Sequence, residues 1–132
     1  MKKKIIITGG LGYIGTELCK IYSGYSWHHD ILVFDNRFIS ERVNQLRKWN
    51  IGFVHGDILD EDLVKKHFKD ADIVHHLAGI TDVPRTKTES TKERDEKIKL
   101  VAEKGTQNIL DNISNDCKII FPSTHVIFEG ID

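Results

Sequence analysis

The sequence has no long apolar run, only two cysteines, and no large excess of positive or negative charge. No apolar stretch approaches the roughly 20 residues that a membrane-spanning helix needs. The apolar run that follows the basic residues 1–4 stops at Thr8, too early for the core of a signal peptide. Two cysteines, Cys19 and Cys117, do not make a disulfide framework. These absences favour a cytoplasmic protein without a membrane segment.

The charges are balanced, with 19 Lys and Arg residues against 20 Asp and Glu residues and a formal net charge of -1. A balanced chain has no electrostatic footprint for nucleic acid, so we expect neither a nucleic-acid nor a membrane partner. Apolar residues make up 39% and charged residues 30% of the 132 positions, which is ordinary for a globular domain. No repeat or low-complexity linker divides the chain, and we expect one domain over residues 1–132.

Short β-branched runs alternate with amphipathic stretches along the chain. Strands are predicted at residues 4–8, 31–34, 51–55, 73–77 and 118–121, and helices at 13–22, from Ser40, from Asp60 and over much of 89–114. In the first helix, Ile14, Leu18 and Ile21, with Cys19 beside them, predict the apolar face. Parallel strands joined by helical crossovers are the expected result, so the predicted class is α/β, a Rossmann-like doubly wound parallel sheet with five strands.

The turn after the first strand is rich in glycine. Gly10, Gly12 and Gly15 satisfy G-x-G-x-x-G between a buried strand and a helix. A pyrophosphate can approach bare backbone there, and the N–H groups of the first helical turn favour an anion. Asp35 follows Gly15 by about 20 residues, where a carboxylate accepts the hydroxyls of an adenosine ribose. The pattern predicts a dinucleotide site.

The residues after the second strand also bear on the choice of cofactor. The carboxylate of Asp35 would repel a 2′-phosphate, which favours NAD over NADP. Arg37 could pair with such a phosphate, but we expect it to be a solvated loop cation.

Together the motifs resemble those of the extended short-chain dehydrogenases/reductases, the family that includes the nucleotide-sugar epimerases and dehydratases. The similar segments are residues 8–15 (T-G-G-x-G-[FY]-I-G), 34–36 (the acidic strand end), 56–58 (G-D-[IL]), 76–79 (H-x-A-[AG]), 105–110 (G-T-x-N-[LI]-L) and 123–128 (S-[ST]-x-x-V-[YF]). The resemblance covers essentially the whole chain and implies an NAD cofactor and a nucleotide-sugar substrate.

The resemblance also implies which residues hold the cofactor. They are Gly9, Gly10, Gly12, Tyr13, Ile14, Gly15, Asp35, Asn36, Asp57, Ile58, Leu77, Ala78 and Gly79. Asp57 would approach the adenine amino group and Ile58 would pack on the ring, although Asp57 could equally be a turn or capping residue. Thr124 falls at the position of the family's catalytic hydroxyl. No metal site is predicted, since His75 and His76 alternate across a strand and cannot ligate one ion together.

The family's catalytic tyrosine, with a lysine four residues later, is not found in these 132 residues. None of Tyr13, Tyr22 and Tyr25 is followed four residues later by lysine. We therefore expect the N-terminal cofactor part of a longer protein, lacking the sixth strand and the substrate lobe and inactive alone. Two alternatives remain: a non-catalytic NAD(P)-binding module or regulator, and a fragment of a 4-keto-sugar reductase, since residues 123–130 are also similar to S-T-D-Y-V-F-D-G. The charged early turns of 89–114 predict weak dimerisation at most.

Overall fold

The computed structural model describes residues 2–78 and 92–121. Within these ranges five strands form one parallel sheet in the order β3-β2-β1-β4-β5. The strands are β1 (Lys4–Thr8), β2 (Asp30–Asp35), β3 (Gly52–His55), β4 (Ile73–His76) and β5 (Lys118–Ile120). The helices are α1 (Tyr13–Tyr22), α2 (Ser40–Lys48), α3 (Glu61–Phe68), α4 (Lys92–Leu100) and α5 (Thr106–Asn112), with a π-helical segment, Val101–Gly105, between α4 and α5.

The central strand β1 is buried on both faces, as its β-branched sequence predicts. Ile5 and Ile7 pack into a cluster with residues of α1 and α2, whereas Ile6 packs into a second cluster with residues of α3 and α5. Helices therefore cover both faces of the sheet. The predicted α/β, Rossmann-like doubly wound class is confirmed.

The strand register brings four carboxyl ends to one edge of the sheet. Thr8 at the end of β1 pairs with Phe34 of β2 and with His76 of β4. One residue further along β2, Asp35 pairs with His55 at the end of β3. Ligands of doubly wound sheets bind outside this edge, so the register positions the candidate site.

The predicted apolar face of α1 is wrong at two of its three positions. Ile14 and Ile21 are 61% and 66% exposed, and the buried residues of the helix are Gly15 and Cys19. The helix is rotated because Gly15, which has no side chain, is the residue that meets the preceding turn. Cys19, one turn later, then faces the core, where burial raises the pKa of its thiol to about 12.

The long helix predicted over residues 89–114 is interrupted by a π-helical turn. Leu100 and Thr106, on either side of Val101–Gly105, both keep right-handed helical dihedral angles, so the helical path continues through the interruption. The wider turn brings Gly105 and Asn108 onto the buried side. No helix in the described part of the chain is long and apolar enough to cross a membrane.

The N-terminus of α3 offers a test of the local structure. Asp60 is the N-cap, and its carboxylate accepts a hydrogen bond from the N–H of Leu63 at 3.2 Å. We expect Asp60→Ala to lower the free energy of unfolding by about 1 kcal/mol, measured by urea denaturation. Asp62→Ala removes the same charge from the same turn and should cost only a few tenths of a kcal/mol. Equal losses would mean that the cap contributes nothing specific.

Candidate functional site

A cleft of about 680 Å³ opens at the carboxyl edge of the sheet. It gathers residues from the first turn, from the ends of β2 and β4, and from the connection after β3. Those predicted from the sequence and found in its lining are Gly9, Gly12, Tyr13, Ile14, Gly15, Asp35, Asn36, Asp57, Ile58, Leu77 and Ala78. The remaining predicted residues are Gly10, which does not line the cleft, and Gly79 and Thr124, which lie outside the described residues.

The turn that forms the floor of the cleft depends on Gly9. Its φ of +68° lies in the left-handed region that favours glycine. A Cβ on Gly9 would also lie 2.8 Å from the backbone nitrogen of Ala78, just past β4. The turn therefore packs directly on the adjacent strand end.

Among the described residues, Gly10 is the predicted cofactor residue that packs on the sheet and does not line the cleft. A Cβ on Gly10 would lie 2.6 Å from Cγ1 of Val33 in β2. Gly10 faces the sheet, and only a residue without a side chain fits there against Val33. Its role in this structure is packing beneath the cleft.

Gly15 and Gly12 differ in what surrounds them. A Cβ on Gly15 would lie 2.5 Å from the Cα of Gly10 and 2.7 Å from the carbonyl oxygen of Gly9, so only glycine lets α1 begin this close to the turn. At Gly12 the nearest atoms would be 3.3 and 3.5 Å away, and one of them is the Arg37 guanidinium across the cleft. A Cβ at Gly12 would therefore need a shift of only a few tenths of an ångström, and it would extend into the cleft.

Asp35 is a buried carboxylate, only 4% exposed, with four hydrogen-bond donors around it. Its Oδ2 accepts from the N–H of Leu11 at 3.0 Å and from Nη2 of Arg37 at 3.1 Å. Its Oδ1 accepts from the backbone N–H and from Nε of Arg37, at 2.9 and 3.2 Å. Arg37, expected as a solvated loop cation, is half-exposed and ion-paired instead.

Sequence reasoning missed several residues that line the cleft. Arg42 of α2 donates to the carbonyl oxygen of Leu11, and its guanidinium carbon lies 5.9 Å from the centroid of the Tyr13 ring. Lys97 and Val101 reach the cleft from the helical region after β4. No local motif marks these residues, since tertiary packing alone brings them to the cleft.

The connection after β3 is held by the helix that carries the G-T-x-N segment. Nδ2 of Asn108 donates to the carbonyl oxygen of Ile58 at 2.9 Å. A Cβ on Gly105 would lie 2.7 Å from Cγ1 of Ile58, so the helix approaches this loop closely. Asp57 also shapes the loop, because its Oδ1 accepts from the N–H of Leu59 at 2.9 Å. Of the alternatives for Asp57, the turn role is observed, at a position that also lines the cleft.

The two histidines of β4 lie on opposite faces, as strand alternation predicts. Nε2 of His75 lies 2.7 Å from the hydroxyl of Tyr22 in α1. His76 is 6% exposed and bridges two hydroxyls, with Nδ1 2.7 Å from Thr8 and Nε2 3.0 Å from Thr106. The residues that the structure describes contain no group of three or more His, Cys, Asp and Glu side chains able to hold a metal ion.

The geometry is accompanied by clear similarity to known proteins. The chain belongs to the 3-beta hydroxysteroid dehydrogenase/isomerase family, whose family model matches residues 6–131. Its relatives and structural neighbours include extended short-chain dehydrogenases/reductases that are nucleotide-sugar epimerases and dehydratases, and the chain corresponds to the N-terminal part of these proteins. The predicted resemblance is confirmed.

Individual relatives carry different activities. A dTDP-D-glucose 4,6-dehydratase of Dictyostelium discoideum is 31% identical over 96% of this chain and 30% of the dehydratase. A CDP-paratose 2-epimerase of Salmonella typhi is 30% identical over 98% of this chain and 39% of the epimerase. The crystal structure of a UDP-glucose-4-epimerase of Stenotrophomonas maltophila, with bound NAD and formylated UDP-arabinopyranose, superposes with a TM-score of 0.71 at 21% identity over 96% of this chain and 38% of that epimerase. The chain thus spans between 30% and 39% of the length of these proteins.

Gly15 provides a test of the turn. In Gly15→Ala the new Cβ collides with backbone atoms that cannot move aside, so we expect a loss of about 1–3 kcal/mol in the free energy of unfolding. Gly24→Ala is the matched control, because the nearest atom to its Cβ would be 3.8 Å away. Urea denaturation of both variants measures the difference. A stable Gly15→Ala protein would contradict the packing described.

Because the His76 side chain is buried, we expect the free energy of unfolding to depend on pH. Burial lowers the pKa of His76 below its usual value, so the unfolded chain binds more protons as the pH falls below about 6.5. Stability should therefore decrease between pH 7.5 and pH 5.5, and His76→Gln should reduce that decrease. Urea denaturation at both pH values measures it, with His28→Gln, at an exposed position, as the control. An unchanged decrease in His76→Gln would rule out this role.

Proposed function

We propose that this chain is the dinucleotide-binding part of an NAD-dependent nucleotide-sugar epimerase or a related oxidoreductase. The observation that carries the proposal is the cleft in which Gly12, with no side chain, faces the pair formed by the buried Asp35 and Arg37. The activities of the two relatives described above, a dehydratase and an epimerase of nucleotide sugars, support the substrate class. For the whole protein we propose a nucleotide-sugar substrate.

The start of α1 suits a pyrophosphate. The helix runs for 10 residues from Tyr13, and its first turn contains no acidic residue to oppose the positive end of its dipole. Gly12 precedes it with extended backbone and places no side chain between the turn and the cleft. We propose that the phosphates lie there, against Gly12, Tyr13 and Ile14.

The adenosine end would lie toward β2 and β3. Asp35 and Asn36 would hold the ribose, and Asp57 and Ile58 would border the adenine. Gly9, Gly15, Leu77 and Ala78 complete the lining, and the family resemblance adds Gly79. A cleft of about 680 Å³ is within the usual size range of small-molecule and cofactor sites.

At the nicotinamide end, the family resemblance implies that Thr124 would supply the catalytic hydroxyl. When bound, the cofactor supplies hydride transfer, and the protein supplies binding, orientation and electrostatics. We propose NAD as the preferred cofactor because Asp35 would repel a 2′-phosphate. We also propose that residues 1–132 form one domain, and that the protein is cytoplasmic, in keeping with its two free cysteines.

The proposal predicts that the 132-residue chain binds NAD⁺ in a calorimetric titration. Gly12→Ala should weaken that binding at least about tenfold, because the methyl group enters the space proposed for the phosphates, at a cost of about 1.4 kcal/mol. Its thermal unfolding temperature should fall less than that of Gly15→Ala, since the new Cβ would be 3.3 Å from the carbonyl oxygen of Gly9 and needs a shift of only a few tenths of an ångström.

Gly24→Ala is the matched control for this titration. It makes the same substitution away from the cleft, where the atom nearest to the new Cβ would be 3.8 Å away. It should bind NAD⁺ as the parent does. No heat from the parent chain with NAD⁺ or NADP⁺ would contradict the proposed function. Equal binding by Gly12→Ala and the parent would contradict the assignment of the cleft.

A further inference from the structure

The hydrogen bonds around Asp35 account for its full capacity as an acceptor. An ionised carboxylate offers about four acceptor positions on its two oxygens. Two are taken by backbone donors, the N–H groups of Leu11 and Arg37. The other two are taken by Nε and Nη2 of the Arg37 side chain, at 3.2 and 3.1 Å.

A ribose diol needs two of these positions, one for each hydroxyl. The backbone donors are fixed by the turn and by the end of β2, whereas the Arg37 side chain is 52% exposed and free to turn toward solvent. A dinucleotide that uses Asp35 must therefore displace the guanidinium of Arg37. In the pair, Nη2 of Arg37 lies 3.5 Å from where a Cβ of Gly12 would be, so the guanidinium borders the space proposed for the dinucleotide.

We propose that Arg37 is a specificity-determining residue that competes with the ribose hydroxyls for Asp35 and pairs with a 2′-phosphate when one is present. The inference rests on the proposed dinucleotide function and deepens it. NAD then remains the preferred dinucleotide, but the site also accepts NADP, with much weaker discrimination than a free Asp35 carboxylate would impose. Arg37 makes NAD bind less tightly and offsets the repulsion that Asp35 exerts on NADP.

The other charges that line the cleft agree with this assignment. Three cations, Arg37, Arg42 and Lys97, face two carboxylates, Asp35 and Asp57. With Asp35 neutralised by Arg37, the cleft retains an excess of positive charge. Such a lining tolerates a second phosphate group on the ribose.

The test is a titration of NAD⁺ and of NADP⁺ into the parent chain and into Arg37→Ala. We expect the parent to bind the two dinucleotides within about tenfold of each other. In Arg37→Ala, NAD⁺ should bind about threefold to tenfold more tightly, because Asp35 is freed, and NADP⁺ at least about tenfold more weakly, because an unpaired carboxylate faces its phosphate.

Arg47→Ala is the matched control. Arg47, in α2, is an exposed cation, and its loss changes the net charge by the same amount as the loss of Arg37. Arg47 does not line this cleft. It should leave the ratio of the two affinities as in the parent. Arg37→Lys separates charge from geometry: a lysine cannot reproduce the two-pronged contact with Asp35, so NAD⁺ should tighten while NADP⁺ binding is kept within about threefold.

The outcomes separate the two proposals. An affinity ratio unchanged in both Arg37→Ala and Arg37→Lys, with NAD⁺ still bound by the parent, overturns the role of Arg37 and leaves the proposed function standing. A parent chain that binds neither dinucleotide overturns the proposed function and this inference with it. Circular dichroism of each variant shows that the affinities belong to folded protein.

Discussion

The buried carboxylate of Asp35 accepts a hydrogen bond from the backbone N–H of Leu11 at 3.0 Å and so ties the glycine turn to the end of β2. A charge that is only 4% exposed is tolerated when donors surround it, and here the turn itself supplies one of them. Gly9 fixes the same turn against the end of β4 through its left-handed backbone. The turn is thereby held between two strands, and Gly12 is left facing the cleft.

The sheet supplies the geometry that this interaction needs. The register aligns Thr8 with Phe34 and His76, so the strand ends reach the same edge together. His76 then joins β1 to α5 through the hydroxyls of Thr8 and Thr106. The same helix holds the loop after β3 through Asn108. Hydrogen bonds at the strand ends thus fix the walls of the cleft as well as its floor.

The fold and most of the cleft lining could be predicted from the sequence, since alternating buried strands and a glycine turn followed by Asp35 leave few arrangements open. The buried face of α1 could not be predicted from apolar spacing, because the close approach of Gly15 rotates Ile14 and Ile21 outward. The π-helical turn before Thr106 is a product of tertiary packing, for which local sequence patterns carry no signal. The contact of Arg37 with Asp35 joins residues only two apart, but the sequence also allowed Arg37 to remain solvated, so the ion pair could not be predicted from it.

We propose the cleft beside Asp35 as the dinucleotide site. Amide chemical-shift mapping by NMR of the isotopically labelled chain, during titration with NAD⁺, tests this assignment residue by residue. We expect saturable shifts concentrated at Gly12, Tyr13 and Asp35. Shifts concentrated instead at the smaller depression lined by Lys2, His29 and Arg47, or no shifts at all, would contradict it.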